Sequence, residues 1–305
     1  MLDGVSLDQL RTFIATVDEG SFSAAGRKLR RAQSVISDLI GRLEAQMGIR
    51  LFERTARSPT LTPAGMALLA DARGIVGGVD FMRARAKGMS SGIEPELCVV
   101  VDVLFPITAI TDAANAFQHQ FPGTPLRLFV EALGAGYQRI LDGTVSVGVV
   151  PVLATAPPSL SSEHLAGVSM VMVAARHHPL ASFKGTIPKS ELAKHVQLVL
   201  TDRSVLSAGV EFAVMSPSTW HLTDLFAKHA FLLNGLGWGG MPMHAVQREI
   251  AEGALVELSI ENIPPSGVVV PMSAVYLTSA PPGPAGRWFI ERLKGPTVTA
   301  QLLVD

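Results

Sequence analysis

The 305-residue sequence is poor in the features that build disulfides, membrane anchors and highly charged surfaces. A single cysteine, Cys98, excludes an internal disulfide and fits a reducing cytoplasm. No apolar run is long enough to span a bilayer, and residues 1–6 lack the basic flank and apolar segment of a secretory signal. The composition, 48% hydrophobic and 17% charged with a net charge of −1, is that of a globular chain of at least two domains.

Patterns that carry enzyme chemistry are also missing. The pair His177-His178 does not have metal-ligand spacing, and no serine lies in a Gly-x-Ser-x-Gly elbow. The glycine-rich stretch at 235–240 follows a helical segment, 222–234, rather than a strand, so it is interpreted as a turn plus a short strand. Cys98 lies in an apolar run at 97–101, where a packed thiol is expected and a redox sensor is the alternative. We therefore expect neither an enzyme nor a metal or cofactor site.

The stretch from Ser21 to Arg54 predicts two short helices joined by a tight turn, the helix-turn-helix pattern. Ser23 is expected to cap the first helix, because a serine oxygen accepts a free backbone N–H there. After a turn at 30–33, apolar residues at positions 36, 39, 40, 43 and 47 lie on one face of the second helix. Short polar side chains near its start suit contact with base edges in a major groove. They are Gln33, Ser34, Ser37 and Asp38.

The charge distribution favours nucleic-acid binding by this segment. Residues 1–90 carry 13 basic and 9 acidic groups, whereas the remainder carries 12 and 17. A basic segment on a mildly acidic body is expected when only one domain contacts phosphate. The alternative is a small helical domain with a solvated, charged face.

Several motifs then resemble the LysR-type transcriptional regulators, in order and spacing over about sixty residues. The motifs are Leu7-Asp8-Gln9-Leu10-Arg11-Thr12-Phe13, Gly20-Ser21-Phe22-Ser23-Ala24-Ala25, Arg31-Ala32-Gln33-Ser34, Leu43-Glu44, Leu51-Phe52-Glu53-Arg54 and Leu61-Thr62-Pro63-Ala64-Gly65. Asp38 departs from the polar or basic residue common in relatives. It can accept a hydrogen bond from a cytosine amino group or face solvent.

The resemblance implies a winged helix-turn-helix head that binds double-stranded promoter DNA at an interrupted palindrome. Gln33, Ser34 and Ser37 are predicted to read bases, and arginines to contact phosphate or, at a wing between 49 and 61, the minor groove. The predicted DNA contacts are Ser23, Arg31, Gln33, Ser34, Ser37, Arg42, Arg54 and Arg57. The other predicted partners are a small-molecule effector, further copies in a homodimer or homotetramer, and RNA polymerase, with no membrane.

A long helix is expected to begin at Thr62-Pro63, with a capping hydroxyl and a proline at the first helical position, and to run to about Lys87. Nothing N-terminal to it looks large enough to bury its apolar stripe, so we expect an intermolecular helix pair, with packing on the chain's own C-terminal domain as the alternative. The stripe is Leu68, Leu69, Ala72, Ile75, Val76, Val79 and Met82. A glycine-containing hinge at 88–92 ends the helix.

From Glu94 onward, Val- and Leu-rich runs at 97–101, 126–130, 145–150, 169–175 and 196–200 alternate with helical segments. This pattern predicts α/β structure with largely parallel strands buried on both faces. The resemblance implies a two-lobed, periplasmic-binding-protein-like effector domain. The expected division is 1–62 for the head, 63–92 for linker helix and hinge, and 93–305 for the effector domain, with lobe I at about 93–163 and 266–305 and lobe II at about 164–265.

Open α/β sheets bind ligands at the carboxyl ends of strands, which here places a site between the lobes. In the family, residues just after the first effector-domain strand contact ligand and often include serine or threonine, whereas this chain has Asp102 there. Beside aromatic residues, Asp102 favours a cation or a ligand rich in hydrogen-bond donors. The alternative is that it caps a turn or faces solvent, with a neutral apolar ligand. The predicted effector contacts are Asp102, Val103, Phe105, Leu133, Gly134, Thr201, Asp202 and Trp220.

Overall fold

The computed structural model describes residues 4–53, 59–152, 157–202, 204, 206, 213–264 and 267–294. The chain divides into two compact units, Met1–Gly88 and Met89–Asp305. Across these described ranges, no helix combines the length and the apolar character needed to cross a membrane.

The first unit is a helical head. Its helices are α1 Leu7–Asp18, α2 Phe22–Leu29, α3 Gln33–Met47 and α4 Pro63–Ser90. Phe13, Leu43 and Leu51 are almost completely buried at its centre, and the Phe13 and Phe52 rings meet edge to face with their centroids 5.7 Å apart. An antiparallel bridge between Phe52 and Leu61 forms the base of the predicted wing.

Serine caps explain where the first two helices begin. Ser6 and Gln9 form a reciprocal capping box at the start of α1. At α2 the cap is Ser21, whose side chain accepts the Ala24 N–H at 3.0 Å. The prediction of Ser23 as the cap was therefore wrong by two residues. Ser21 has the extended backbone that a cap requires, whereas Ser23 already lies within the helix.

Helix α4 begins as predicted, since the Thr62 hydroxyl accepts the Gly65 N–H at 2.9 Å. It ends at Ser90, three residues beyond the predicted Lys87. The expectation that nothing in the head buries its apolar stripe was wrong in part, because one side of the stripe packs on the head's own core. The residues on that side are Leu68, Leu69, Ala72 and Val76.

The second unit is built on a mixed sheet. Its strands are β1 Leu97–Asp102, β2 Leu126–Glu131, β3 Val147–Pro151, β4 Leu160–Ala175, β5 Gln197–Leu200, β6 Thr219–Leu222, β7 Trp238–Pro242, β8 Leu255–Glu257 and β9 Val268–Leu277. Its helices are α5 Ile107–Gln120, α6 Gly134–Leu141, α7 Lys189–Leu192, α8 Leu225–Leu233, α9 Met243–Ala251 and α10 Pro284–Leu293, with a 3-10 turn at Pro179–Ser182.

Within the described residues the strand order is β2-β1-β3-β9-β4-β7-β5-β6, with β8 pairing β4. Pairs β1–β2, β1–β3, β5–β6 and β5–β7 are parallel, whereas β3–β9, β4–β7, β4–β8 and β4–β9 are antiparallel. The prediction of largely parallel strands was therefore correct only in part. Strands β4 and β9 are long and antiparallel to each other, with a register shift between His164 and Gly167. They belong to both lobes and join them, which places the carboxyl ends of β1 and β5 on opposite sides of the crossing strands.

Two details of the second unit differ from the predictions. Strand β2 is not buried on both faces, because it is an edge strand whose Leu128 and Val130 remain 36% and 52% exposed. The helix expected at 222–234 begins only at Leu225, since Asp224 caps it and Leu222 ends β6. The glycine-rich stretch is a turn plus strand β7, as predicted.

The glycines of that stretch allow β7 to lie close to β5. A Cβ added at Gly237 would lie 2.5 Å from the Val196 carbonyl oxygen, and one at Gly239 would lie 2.6 Å from that of Leu198. Both distances are shorter than a carbon–oxygen contact allows. The stretch therefore serves backbone packing between two strands of lobe II.

Candidate functional site

One face of α3 is polar and exposed, and the opposite face is buried. Ile36 and Leu43 are fully buried and Ile40 is 4% exposed. The side chains predicted to read bases project from the exposed face, together with Asp38. They are Gln33, Ser34 and Ser37. The structure thus brings the predicted base-reading residues together within two turns of one helix.

The turn between α2 and α3 is tight, and its backbone explains the spacing of the two helices. Arg30 adopts a left-handed conformation with φ 55°, and the Arg31 N–H donates to the Gly26 carbonyl oxygen at 2.8 Å. A Cβ added at Gly26 would lie 2.7 Å from the Arg31 carbonyl oxygen. Gly26 is therefore needed for α3 to start so close to α2. Ala32 precedes α3 and offers no capping side chain, so amides at the start of the exposed helix are open to an anion.

The predicted phosphate contacts are only partly free. Arg31 donates from Nη1 to the Asp8 carboxylate at 2.6 Å, which raises the pKa of its exposed guanidinium. Ser23 Oγ accepts from Arg27 Nη1 at 3.1 Å, and Arg42 is exposed on α3. The predicted contacts Arg54 and Arg57 lie outside the described residues.

A second line of apolar side chains on α4 is exposed in the part of the chain that the structure describes. Ile75 is 53% exposed, Met82 61% and Met89 44%. These residues are seven positions apart, so they lie on one line along the helix, as in a helix pair. Phe81 beside them is 50% exposed.

A cavity of about 250 Å³ lies between the two lobes of the second unit. Leu104, Leu133 and Pro151 line it from lobe I, and β5, β7 and α8 line it from lobe II. The walls are almost entirely apolar. The Gln197 side chain is also in the wall, but it is already engaged, donating to the Ala213 carbonyl oxygen and accepting from the Met215 and Ser216 amides.

Lys228 of α8 is the charged residue in this lining. Its side chain is buried, with 5% of the residue exposed, and its Nζ donates to the Gly240 carbonyl oxygen at 2.7 Å. Burial lowers the pKa of Lys228 to about 8. Sequence reasoning missed this residue. The available signal was one lysine in the otherwise apolar Leu225-Phe226-Ala227-Lys228 start of a helix.

Asp102, the predicted ligand contact, has a structural role. Its Oδ1 accepts the Leu104 N–H at 2.9 Å and its Oδ2 accepts the Leu133 N–H at 2.8 Å, so it ties the turn after β1 to the loop after β2. Burial raises the pKa of Asp102 to about 7, which the two amide hydrogen bonds oppose and the nearby Asp202 charge reinforces. Asp102 therefore caps the turn, and its contact with a ligand stays a prediction.

Most of the other predicted effector contacts lie around Asp102, which accepts the Leu133 amide and is close enough to Asp202 to feel its charge. Leu133 lines the 250 Å³ interlobe cavity, whereas Asp102, Val103 and Phe105 line a second, larger cavity of about 570 Å³. Residues of α8 and α9 form its other wall, so this second cavity also lies between the lobes. Gly134 begins α6. The Asp202 carboxylate accepts the Ala135 N–H at 2.7 Å and so connects the lobes, beside Thr201. Trp220 is 46% exposed on the edge strand β6 and is absent from the described linings of both cavities, so it does not join this group.

The surroundings of Cys98 make its thiol less acidic. Burial and the neighbouring Glu96 raise the pKa of the Cys98 thiol, which lowers its thiolate fraction and reactivity. No cluster of three His, Cys, Asp or Glu side chains suited to a metal ion occurs among the residues that the structure describes.

Comparisons with known proteins agree with this geometry. A family described as "LysR substrate binding domain" matches residues 90–295, and one described as "Bacterial regulatory helix-turn-helix protein, lysR family" matches residues 7–66. The transcriptional activator AllS of Klebsiella pneumoniae is 29% identical over 253 residues, 82% of this chain and 93% of AllS. The regulator YeeY of Escherichia coli K12 is 27% identical over 258 residues, 83% of each chain.

Among solved structures, a cysteine mutant of OxyR from Corynebacterium glutamicum has a TM-score of 0.56 at 20% identity. The match covers 97% of this chain and 95% of that one, so the similarity in fold extends over head, linker helix and two-lobed unit.

Proposed function

Because the chain belongs to the LysR family of transcriptional regulators, we propose that α3 of its head reads promoter DNA and that its interlobe cavity holds the effector. The proposal that α3 reads DNA rests on its two faces: one is polar and exposed, and the opposite one is buried. The relatives that match over most of their length are transcriptional regulators rather than enzymes. A protein that acts on promoters works beside the chromosome, so the cytoplasm is the compartment we propose, with RNA polymerase as a further partner.

On DNA, Gln33, Ser34 and Ser37 read base edges in this proposal, and their place in the first two turns of α3 supports it. The uncapped start of α3 suits a phosphate, because its free amides and the helix dipole both favour negative charge. Arg42 on the same helix supplies a further phosphate contact, and Ser23 at the start of α2 lies on the flanking element. Arg54 and Arg57 stay in the proposal as wing contacts.

In this scheme Arg31 contacts phosphate, although in the free protein its guanidinium is paired with the Asp8 carboxylate. Its ion pair with Asp8 is exposed, and solvent screening makes exposed pairs weak, so a DNA phosphate can replace the carboxylate. The pair holds the guanidinium at the start of α3 before DNA arrives. Asp8 therefore tunes non-specific affinity.

The head is tested by mobility shift with the DNA beside the protein's own coding region, against random-sequence competitor. Gln33→Ala or Ser34→Ala should reduce the preference for the operator by about 1–3 kcal/mol per lost contact. Arg42→Ala should weaken all sequences alike and reduce the salt slope by roughly one. Arg83→Ala, which removes an exposed arginine from α4, is the matched control for charge. Unchanged sequence preference in both α3 variants would refute the proposed docking.

We further propose that the exposed stripe of α4 pairs two subunits, giving the dimer that an interrupted palindrome requires, with tetramers formed through the second units. Ile75→Asp combined with Met82→Asp should separate the head dimer, because each carboxylate would be buried without a partner. Light scattering measures the outcome. Gly77→Asp adds a carboxylate where nothing lies within 4 Å and is the control. An unchanged oligomer in the double variant would contradict the pairing.

A further inference from the structure

Lys228 is an unusual residue in the second unit, because it combines a charge with nearly complete burial. Its Nζ has one hydrogen-bond acceptor, the Gly240 carbonyl oxygen, although an ammonium group has three donors. Among the residues that the structure describes, no carboxylate lies within ion-pair distance of this nitrogen. A buried charge without a partner is strongly unfavourable, so its presence calls for an explanation.

The backbone around Lys228 is arranged to admit its side chain. The Lys228 Cε would lie 3.3 Å from a Cβ at Gly239, so the glycine leaves room for the lysine stem over β7. The adjacent Gly240 supplies the single acceptor and lines the same cavity. The ammonium group is therefore held by the strand rather than extending to solvent.

The cavity beside Lys228 has mainly apolar walls, and among its described lining residues the charge is the positive one of Lys228. Apart from Lys228, its lining is dominated by aliphatic residues and methionines of both lobes, among them Leu133, Met172 and Val270. Gln197, the other polar side chain, uses its amide on backbone groups. At about 250 Å³ the space lies just below the usual range for drug-sized ligands, roughly 300–1,000 Å³, which limits the ligand to a small molecule.

We propose that the effector is a small organic acid whose apolar body fills the interlobe cavity and whose carboxylate pairs with Lys228. This inference rests on the proposed function, since it names the chemical class of the ligand of that site. The carboxylate supplies the partner and the acceptors that the buried ammonium lacks, in a low-dielectric setting that strengthens such a bond. The apolar walls select the rest of the molecule.

In the cavity that Lys228 lines, the same observations argue against a cationic ligand. Asp102, the carboxylate that suggested one, accepts two backbone N–H bonds and lines the other cavity. Asp202 is engaged by the Ala135 amide. A cation in the interlobe cavity would meet Lys228 and no free carboxylate among the described lining residues.

The test uses two matched ligand sets on the full chain. One is phenylacetate, phenylacetamide and phenethylamine, and the other is hexanoate, hexanamide and hexylamine. Calorimetry would compare wild type with Lys228→Met, which keeps the length and apolar stem of the side chain, and with the exposed-lysine control Lys184→Met. In wild type and the control, an acid should bind at least about tenfold more tightly than its amide and amine. In Lys228→Met that advantage should disappear.

Three results would overturn the inference. They are binding of no acid of either skeleton to wild type up to about 10 mM, equal binding of an acid to wild type and Lys228→Met, and amine binding as tight as acid binding. The proposed function is judged separately, by mobility shift with and without the ligand. An acid that needs Lys228 but never changes the DNA complex would support the ligand class while contradicting its role as effector.

Discussion

Replacing Lys228 with methionine should stabilise the second unit at neutral pH, although it removes a hydrogen bond. In the folded chain burial lowers the pKa of Lys228 from 10.5 to about 8. Below pH 8 the charged form is therefore held in the fold at a cost of about 3 kcal/mol, at 1.36 kcal/mol per pH unit. Losing the hydrogen bond to the Gly240 carbonyl oxygen costs about 1.5–3 kcal/mol, because one partner is charged. The net change at pH 7 is a gain of about 0–2 kcal/mol.

The pH dependence is the sharper part of this prediction. Between pH 8 and 10.5 the unfolded chain binds a proton on Lys228 that the folded chain does not, so wild-type stability rises with pH across this window. Lys228→Met lacks this slope. Its advantage over wild type should therefore shrink by about 2 kcal/mol between pH 7 and pH 9.5.

Denaturant unfolding followed by tryptophan fluorescence is the assay. All three tryptophans, Trp220, Trp238 and Trp288, belong to the second unit, so the head does not contribute to the signal. Lys184→Met should show no such pH-dependent difference from wild type. The reasoning is refuted if Lys228→Met is less stable than wild type by the same amount at pH 7 and pH 9.5. Burial would then not lower the pKa of the Lys228 ammonium group.

Three other predictions concern the turn, Asp102 and Asp8. Gly26→Ala should destabilise the head by about 1–3 kcal/mol in far-UV circular dichroism, because its Cβ would meet the Arg31 carbonyl oxygen, whereas Gly77→Ala should be neutral or slightly stabilising; equal midpoints would contradict the turn geometry. Asp102→Asn should gain roughly 2.5 kcal/mol of stability relative to wild type between pH 5 and pH 8, because the raised folded pKa of Asp102, about 7 against 3.8, makes the wild-type fold less stable as pH rises through this window; a pH-independent difference would refute this. Asp8→Asn should strengthen non-specific DNA binding and steepen its salt dependence by freeing the Arg31 guanidinium, and an unchanged titration would show that the ion pair does not compete with phosphate.

The helical head was largely predictable because its signals are local. The period of Ile36, Ile40 and Leu43 marks the buried face of α3 within one helix, and the polar residues on the opposite face follow from the same period. The cap of α2 was missed because Ser21 and Ser23 are chemically equal, and only the backbone conformation distinguishes them. A choice between two serines is decided by how the preceding loop leaves α1.

The linker helix shows a different limit. Its apolar residues were predicted correctly as a helical stripe, but the stripe is wide enough to serve two surfaces. Ala72 and Val76 turn toward the head's own core, and Ile75 and Met82 turn away from it. Periodicity gives the angular position of each residue, whereas the position of the partner surface comes only from tertiary structure.

The effector site was the least predictable part. A position at the end of a strand predicts where the backbone lies more reliably than it predicts what the side chain does. Asp102 does end β1 at the expected place, yet its two oxygens are used by the Leu104 and Leu133 amides. A carboxylate that close to unpaired amides is drawn into the backbone rather than left for a ligand. Position at a strand end therefore predicts proximity to a cleft, and hydrogen-bond demand decides whether the side chain remains free.

The opposite argument applies to Lys228, which lies in a helix rather than at a strand end. A lysine in an amphipathic helix usually extends its head group to solvent along its long stem. Here the missing side chain of Gly239 leaves room for the stem, and the backbone carbonyl oxygen of Gly240 accepts from the ammonium group, so burial depends on the backbone of another strand. The glycine-rich stretch and the lysine are separate, unremarked features in sequence. They come together only when β7 lies beside α8, and the proposal that Lys228 binds a carboxylate ligand rests on this buried charge.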